Sequence, residues 1–169
     1  MFPLSRVLLI GLVALAAYVL DRVTKSWVVS EIPLNTSREV VDGWIHVAHV
    51  RNTGAAFGLL PERTSLLSIL SVVAVLAILY YYRTLAARSA PIAATLGMQL
   101  GGAAGNLVDR LGQGYVVDFV DVGIPGGWRF WAFNVADSSI VVGIGLVTFL
   151  LWLEERRGRS GFAATTDPK

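Results

Sequence analysis

Thr64-Ser65-Leu66-Leu67-Ser68-Ile69-Leu70-Ser71-Val72-Val73-Ala74-Val75-Leu76-Ala77-Ile78-Leu79-Tyr80-Tyr81-Tyr82 is a run of 19 residues without a charge. A helix of about 20 apolar residues crosses the roughly 30 Å of hydrocarbon in a bilayer, and aromatic rings collect at its headgroup boundary. The stretch therefore reads as a membrane span that ends in a tyrosine belt. Three other stretches are similar. Val7 to Leu20 is uncharged and resumes as Trp27-Val28-Val29 after a charged interruption. Ser89 to Val108 is uncharged throughout, and Ser138 to Leu153 is extended towards its start by Phe130 to Ala136. The expected architecture is an α-helical integral membrane protein with four transmembrane helices, at about 5–29, 64–82, 89–109 and 135–153.

Composition agrees. Of 169 residues, 54% are hydrophobic and 15% are charged, against about 25% charged in a soluble domain. Mean hydropathy is +0.62. So much apolar surface cannot be hidden inside one small globule, and the length fits a single domain. Residues 1–159 are read as one membrane-embedded unit, and 160–169, which lack periodicity, as a disordered cytoplasmic tail. A formal charge of +2 without a dense basic run excludes nucleic acid as a partner. The absence of cysteine excludes a disulfide framework, a thiol nucleophile and a thiolate metal site.

Arg6, the following apolar run and Ala14-Leu15-Ala16 also fit a cleavable signal peptide, but the apolar character continues to Leu20, which favours a span. Arg6, the link Arg83–Ser89 and the segment from Glu154 onward hold seven of the fourteen lysines and arginines. The two longer loops, with the end of the first helix, hold the other seven and nine of the twelve acids. Basic residues collect on the cytoplasmic side, so both termini are expected there, with the long loops on the opposite face. Those loops have strand character. Trp44 to Val50 alternates in polarity; Tyr115 to Val122, Ile124-Pro125-Gly126-Gly127 and Trp128 to Phe133 read as strand, turn and strand. A small β-rich element at the membrane interface is expected.

An ionisable residue at membrane depth costs several kcal/mol and marks function by default. Here such residues gather at one end of their helices. Asp21 and Lys25 stand four apart on the first helix and can pair, most simply as a structural ion pair. Asn106 and Arg110, also four apart, end the third helix after Gly101-Gly102-Ala103-Ala104-Gly105. Those small residues suit close approach by a neighbouring helix or by a helical substrate. Asp118 interrupts the apolar run Tyr115 to Phe119. Asp137 opens the fourth helix, where a carboxylate also favours the helix dipole. Asn52-Thr53-Gly54-Ala55-Ala56-Phe57-Gly58, polar residues followed by small ones, suits a backbone that must approach something closely, and by itself also fits a plain turn; Gly54 is counted with the candidate site residues.

Two carboxylates in a low-dielectric site share a proton, giving one acid and one base that activate a water. That chemistry hydrolyses amides without a metal or a nucleophilic side chain. His46 and His49 form a weak metal pair at best, because three residues apart on a strand they point to opposite faces. No metal and no cofactor is expected. A small transporter would spread its charges along the helices. A structural partner subunit would not need two lone aspartates.

In order along the chain, Asp21-Arg22-Val23-Thr24-Lys25, Asn52 to Gly58, Gly101 to Arg110, Val117-Asp118-Phe119 and Phe133 to Ser138 closely resemble the lipoprotein signal peptidases, the bacterial signal peptidase II enzymes. The resemblance implies a four-span aspartic endopeptidase of the bacterial inner membrane. It implies removal of the signal peptide from diacylglyceryl-modified prolipoproteins, by cleavage just before the lipidated cysteine. The family's catalytic aspartates fall on Asp118 and Asp137. Its supporting polar residues fall on Asn52, Asn106, Arg110 and Asn134, with Asp21 and Lys25 behind them and Gly54 beside Asn52. Prolipoprotein and membrane lipid are the expected partners, the protein is expected to be monomeric, and the site is expected near the outer leaflet.

Overall fold

The computed structural model describes residues 4–54 and 64–165. Along the chain lie α1 (Leu4–Glu31), β1 (Ser37–Val41), β2 (Ile45–Asn52), α2 (Thr64–Ala86), α3 (Ala90–Gln113), β3 (Val116–Val122) and α4 (Val135–Thr165). Among the described residues two helices, Leu4–Glu31 and the Val135–Arg157 portion of α4, are long and apolar enough to cross a membrane. A third, α2, holds the apolar stretch Ser65–Tyr81. Leu8, Leu12 and Leu15 on α1, Ile69, Leu70 and Leu76 on α2, and Val141, Ile144 and Phe149 on α4 are all exposed. Such continuous apolar surface is what a lipid solvent requires.

The third helix sits at the centre, packed against α1, α2 and α4. Ser89 caps its start, with its hydroxyl accepting from the Ile92 N–H at 3.4 Å; Pro91 follows in the first turn, where its missing N–H costs nothing. Gly114 ends the helix at φ 79°, donating its N–H to the Arg110 carbonyl. The small residues near its end resolve into helix packing on both sides. A Cβ at Gly102 would stand 2.5 Å from the Ala136 carbonyl oxygen on α4, and one at Gly105 would stand 2.6 Å from Asp21 Oδ2 on α1. Glycine at these two positions lets both neighbouring helices press against α3 where the polar residues cluster.

Three antiparallel strands in the order β1-β2-β3 form the small sheet. The register pairs Val50 with Asp118 and Asn52 with Val116, so the end of β2 lies beside the start of β3. Val28 of α1, with Val117 and Phe119 of β3, forms a buried cluster joined by Val135 of α4, which seats the sheet on the helix ends.

Several expectations shift. The strand expected over 44–50 runs from Ile45 to Asn52. Strand β1 carries no sequence signal: all five side chains are exposed, and it is held by its backbone bonds to β2. The strand expected at Trp128–Phe133 is not formed. That segment pairs with the end of β3 through the isolated bridges Gly123–Arg129 and Val120–Phe133 and does not form a continuous ladder. Arg129 pins it instead, its Nε at 2.9 and 3.0 Å from the Asp121 carboxylate and its Nη1 at 3.0 Å from the Gly43 carbonyl oxygen. The fourth helix continues to Thr165, past the expected span end at Leu153 and into the segment read as an aperiodic tail. Exposed Glu155 and Arg159, four apart, pair along that extension. Residues 166–169, and Ala55 to Gly58 of the glycine-containing motif, lie outside the described residues.

Candidate active site

Asp118 stands in the middle of β3, 2% exposed. Asp137 stands in the first turn of α4, and both line one cavity of about 520 Å³ together with Asn52, Arg110, Phe130 and Trp131. Buried polar groups must be paired, and in this site the pairing fixes the direction of every amide.

Asn52 accepts the Gly54 N–H on its Oδ1 at 2.8 Å. Its Nδ2 is thereby turned to Asp118 Oδ2, also at 2.8 Å. Asn134 is the N-cap of α4. Its Oδ1 accepts the Asp137 N–H at 2.9 Å while Asp137 Oδ2 accepts the Asn134 N–H at 3.3 Å, a reciprocal capping box. With Oδ1 committed to the cap, Asn134 Nδ2 points to Asp118 Oδ1 at 2.6 Å. Asn134 is fully buried and is the residue that touches both carboxylates. Asn106 completes the set: its Oδ1 accepts from Lys25 Nζ at 2.9 Å, and its Nδ2 donates to Asp137 Oδ1 at 2.7 Å. All four carboxylate oxygens of the two aspartates thus accept a hydrogen bond from a donor whose orientation is set elsewhere.

Burial pushes Asp118 up to about 7, and the Asp137 charge adds to the rise; the amides of Asn52 and Asn134 oppose it. At neutral pH this carboxyl exchanges a proton readily, as acid–base catalysis requires.

Beneath Asn106 lies a buried ionic layer. Lys25 Nζ stands 2.7 Å from Asp21 Oδ2 and 2.8 Å from Asp109 Oδ2, and Arg22 pairs with Asp109 Oδ1. Asp21 Oδ1 accepts the Ala136 N–H at 3.0 Å, tying α1 to the start of α4. The expected Asp21–Lys25 pair is present as part of a larger quartet. Sequence reasoning gave no role to Asp109 or Arg22. The available signal was spacing: Asp109 follows Asn106 by three on α3 and so shares its face.

The structure brings Asp118, Asp137, Asn52, Asn106, Asn134 and Arg110 together, with Gly54 orienting Asn52 and Asp21 and Lys25 one layer back. The two histidines are kept apart. His46 lies 3.5 Å from Glu39 and 3.7 Å from Asp121, whereas His49 is buried with Nδ1 2.8 Å from the Ile32 carbonyl oxygen.

The family model for signal peptidase (SPase) II matches residues 13–153. Among curated proteins, the lipoprotein signal peptidase of Halothermothrix orenii is 37% identical over 152 residues, covering 89% of this chain and 99% of the relative. That of Desulfitobacterium hafniense is 40% identical over 142 residues, covering 84% and 91%. Two solved structures described as bacterial membrane enzymes superpose on the fold. One has a TM-score of 0.78 at 28% identity, with 94% of this chain and 91% of that one covered. The other has a TM-score of 0.74 at 31% identity, with 83% and 90% covered.

Proposed function

The chain belongs to the lipoprotein signal peptidase (signal peptidase II) family, and on that premise we propose that Asp118 and Asp137 are its catalytic pair. It is an aspartic endopeptidase of a bacterial membrane that removes the signal peptide from diacylglyceryl-modified prolipoproteins, cutting just before the lipidated cysteine. The observation that carries the assignment is that the two carboxylates line one cavity and each receives oriented donors on both oxygens.

In the mechanism, Asp118 holds the proton and Asp137 is ionised. The Asp137 carboxylate takes a proton from a water as its oxygen bonds to the scissile carbonyl carbon. Asp118 gives its proton to the carbonyl oxygen, so no full oxyanion develops. As the C–N bond breaks, the proton on Asp137 passes to the leaving amine of the cysteine. Asp118 recovers a proton from the collapsing diol, and the pair returns to its starting state. Asn52, Asn106 and Asn134 hold the carboxylates in place. Arg110, whose side chain reaches the cavity, binds a substrate carbonyl or a lipid ester.

A signal peptide is an apolar helix and can lie against the apolar walls formed by Phe130, Trp131 and Val141. The diacylglyceryl chains stay in lipid, so the anchor contributes to recognition. All four helices cross the bilayer in this reading. The central α3 can be less apolar than its neighbours because they shield it, with 11 of its 24 residues buried. Both termini are cytoplasmic, the site opens near the outer leaflet, and a single copy carries the complete residue set.

The test is cleavage of a purified lipidated prolipoprotein in a bilayer mimetic. Asp118→Asn and Asp137→Asn are each expected to fold and to lose turnover by at least about a thousandfold. The unlipidated substrate is expected to be much poorer for the wild-type enzyme. Near-normal turnover in either variant would remove the pair from the mechanism, and equal kcat/KM for both substrates would remove the lipid.

A further inference from the structure

Four charged side chains lie behind the catalytic pair and outside the cavity lining: Asp21, Arg22 and Lys25 on α1, and Asp109 on α3. Two are negative and two positive. Lys25 Nζ donates a hydrogen bond to Asn106 Oδ1 at 2.9 Å and forms ion pairs with Asp21 at 2.7 Å and Asp109 at 2.8 Å. One cation thus stands between two carboxylates while also fixing the amide that holds Asp137. Arg22 takes the other oxygen of Asp109. Of the four, Arg22 is the one that reaches the surface, at 38% side-chain exposure against 3% or less for the rest.

We propose that Arg22 is a positioning residue for the reaction: by pairing with Asp109 it balances the charge of the layer behind Asp137 and leaves Lys25 available to orient Asn106. The proposal rests on the assignment of Asp118 and Asp137 as the catalytic pair.

The charge count makes the role specific. Among the described residues, the charged groups that face the pair are Asp21 and Lys25 with Arg22 from α1, Asp109 and Arg110 from α3, Asp118 itself from β3 and Asp137 from α4. Behind the pair, Asp21 and Asp109 are balanced by Lys25 and Arg22. Without Arg22 the layer carries one uncompensated negative charge, largely screened from water by the helices around it. Two consequences follow from Coulomb attraction. Lys25 is drawn more strongly to Asp109 and holds Asn106 less firmly. The catalytic pair also gives up its proton less readily, since ionisation would place a further negative charge beside the unbalanced layer.

The experiment measures kcat and KM against pH for lipidated prolipoprotein in a bilayer mimetic. The enzymes are wild type, Arg22→Gln, Arg22→Lys and the double variant Arg22→Gln/Asp109→Asn. Arg22→Gln is expected to lower kcat severalfold at its pH optimum, as Asn106 loosens, and to move the acid limb of the kcat profile up by about half to one pH unit. Its KM is expected to stay within about twofold, because none of the four residues lines the cavity. Arg22→Lys restores the charge and the wild-type limb. In the double variant Asp21 and Lys25 balance each other, and the amide introduced by Asp109→Asn still offers Lys25 an acceptor, so the limb is expected to return towards wild type. A structural role alone predicts that the double variant is at least as impaired as the single one.

A folded Arg22→Gln enzyme with the wild-type pH profile overturns the proposal, as does a double variant displaced as far as the single one. If Arg22→Gln does not fold, the other two variants decide: both must fold and keep the wild-type limb, and a displaced limb in either overturns it. The asparagine variants at Asp118 and Asp137 separate the two claims. If they keep activity, the catalytic pair is wrong. If they lose it while the Arg22 variants match wild type, only the role given to Arg22 fails.

Discussion

The two ends of the helical bundle use the same residue types to opposite effect. At the end that meets the sheet, Asp21, Lys25 and Asp109 have side chains 3% exposed or less. At the other end, Arg88 faces Glu154 at 3.5 Å with 51% and 36% exposure, and Arg159 pairs with Glu155 at 80% and 59%. A carboxylate removed from water needs its partners, because leaving it unpaired costs several kcal/mol; one in water loses almost nothing when its partner goes. The buried end therefore has a connected arrangement in which each side chain fixes the next, from Lys25 through Asn106 to Asp137 and from Asn134 to Asp118. The exposed end has separate pairs that constrain nothing beyond themselves.

The largest effect expected from breaking this contrast is at Lys25. Lys25→Met leaves Asp21 and Asp109 buried beside an apolar side chain and releases Asn106. A loss of about 3–5 kcal/mol is expected, with turnover down at least about a hundredfold. Thermal unfolding in detergent and cleavage of lipidated substrate check both figures. A Lys25→Met protein as stable as wild type would erase the distinction between the two ends.

The contrast also explains what the sequence revealed. The four helices were legible because an apolar run of span length has few alternatives. Asp118 was legible because a carboxylate in Tyr115 to Phe119 has no structural reason to be there. The directions of Asn52, Asn106 and Asn134 were not legible. Each depends on a third group that takes the amide oxygen: the Gly54 N–H, Lys25 and the Asp137 N–H respectively. Asp137 was read as either a helix-end charge or a site residue; the capping box with Asn134 gives it the first role, and its place in the cavity with Asp118 is compatible with the second. Strand β1 escaped because its side chains are uniformly exposed, and the segment after Gly127 misled because Arg129, rather than a strand ladder, holds it.

A subtler effect is expected at Trp44, which is 52% exposed at the turn before β2. Its carbonyl accepts the Gly123 N–H at 2.8 Å, linking that turn to the segment that follows β3. We propose that the indole seats the sheet on the membrane surface beside the site. Trp44→Ala is expected to raise KM for lipidated substrate by about two- to fivefold, with kcat and melting temperature nearly unchanged. Unchanged KM in a bilayer mimetic would make this surface residue equivalent to those at the far end.

The smallest effect is expected at the far end itself. Arg88→Gln breaks an exposed pair and should alter stability by no more than about 0.5 kcal/mol, with cleavage kinetics unaffected. A larger loss in thermal unfolding would mean that the two ends are coupled through α3 and α4.

The central claim is that the buried end tunes a carboxyl to share a proton at neutral pH, and the direct measurement is the titration of Asp118. Infrared difference spectra of the wild type, with Asp118→Asn as the reference, isolate its protonated carboxyl band. The band is predicted to persist through about pH 6 and to fade with a midpoint at about 7, since burial and the Asp137 charge both favour the neutral form. Cleavage should decline over the same interval as pH rises and Asp118 loses the proton it must supply. Loss of the band at about pH 4, the ordinary carboxylate range, would contradict the account.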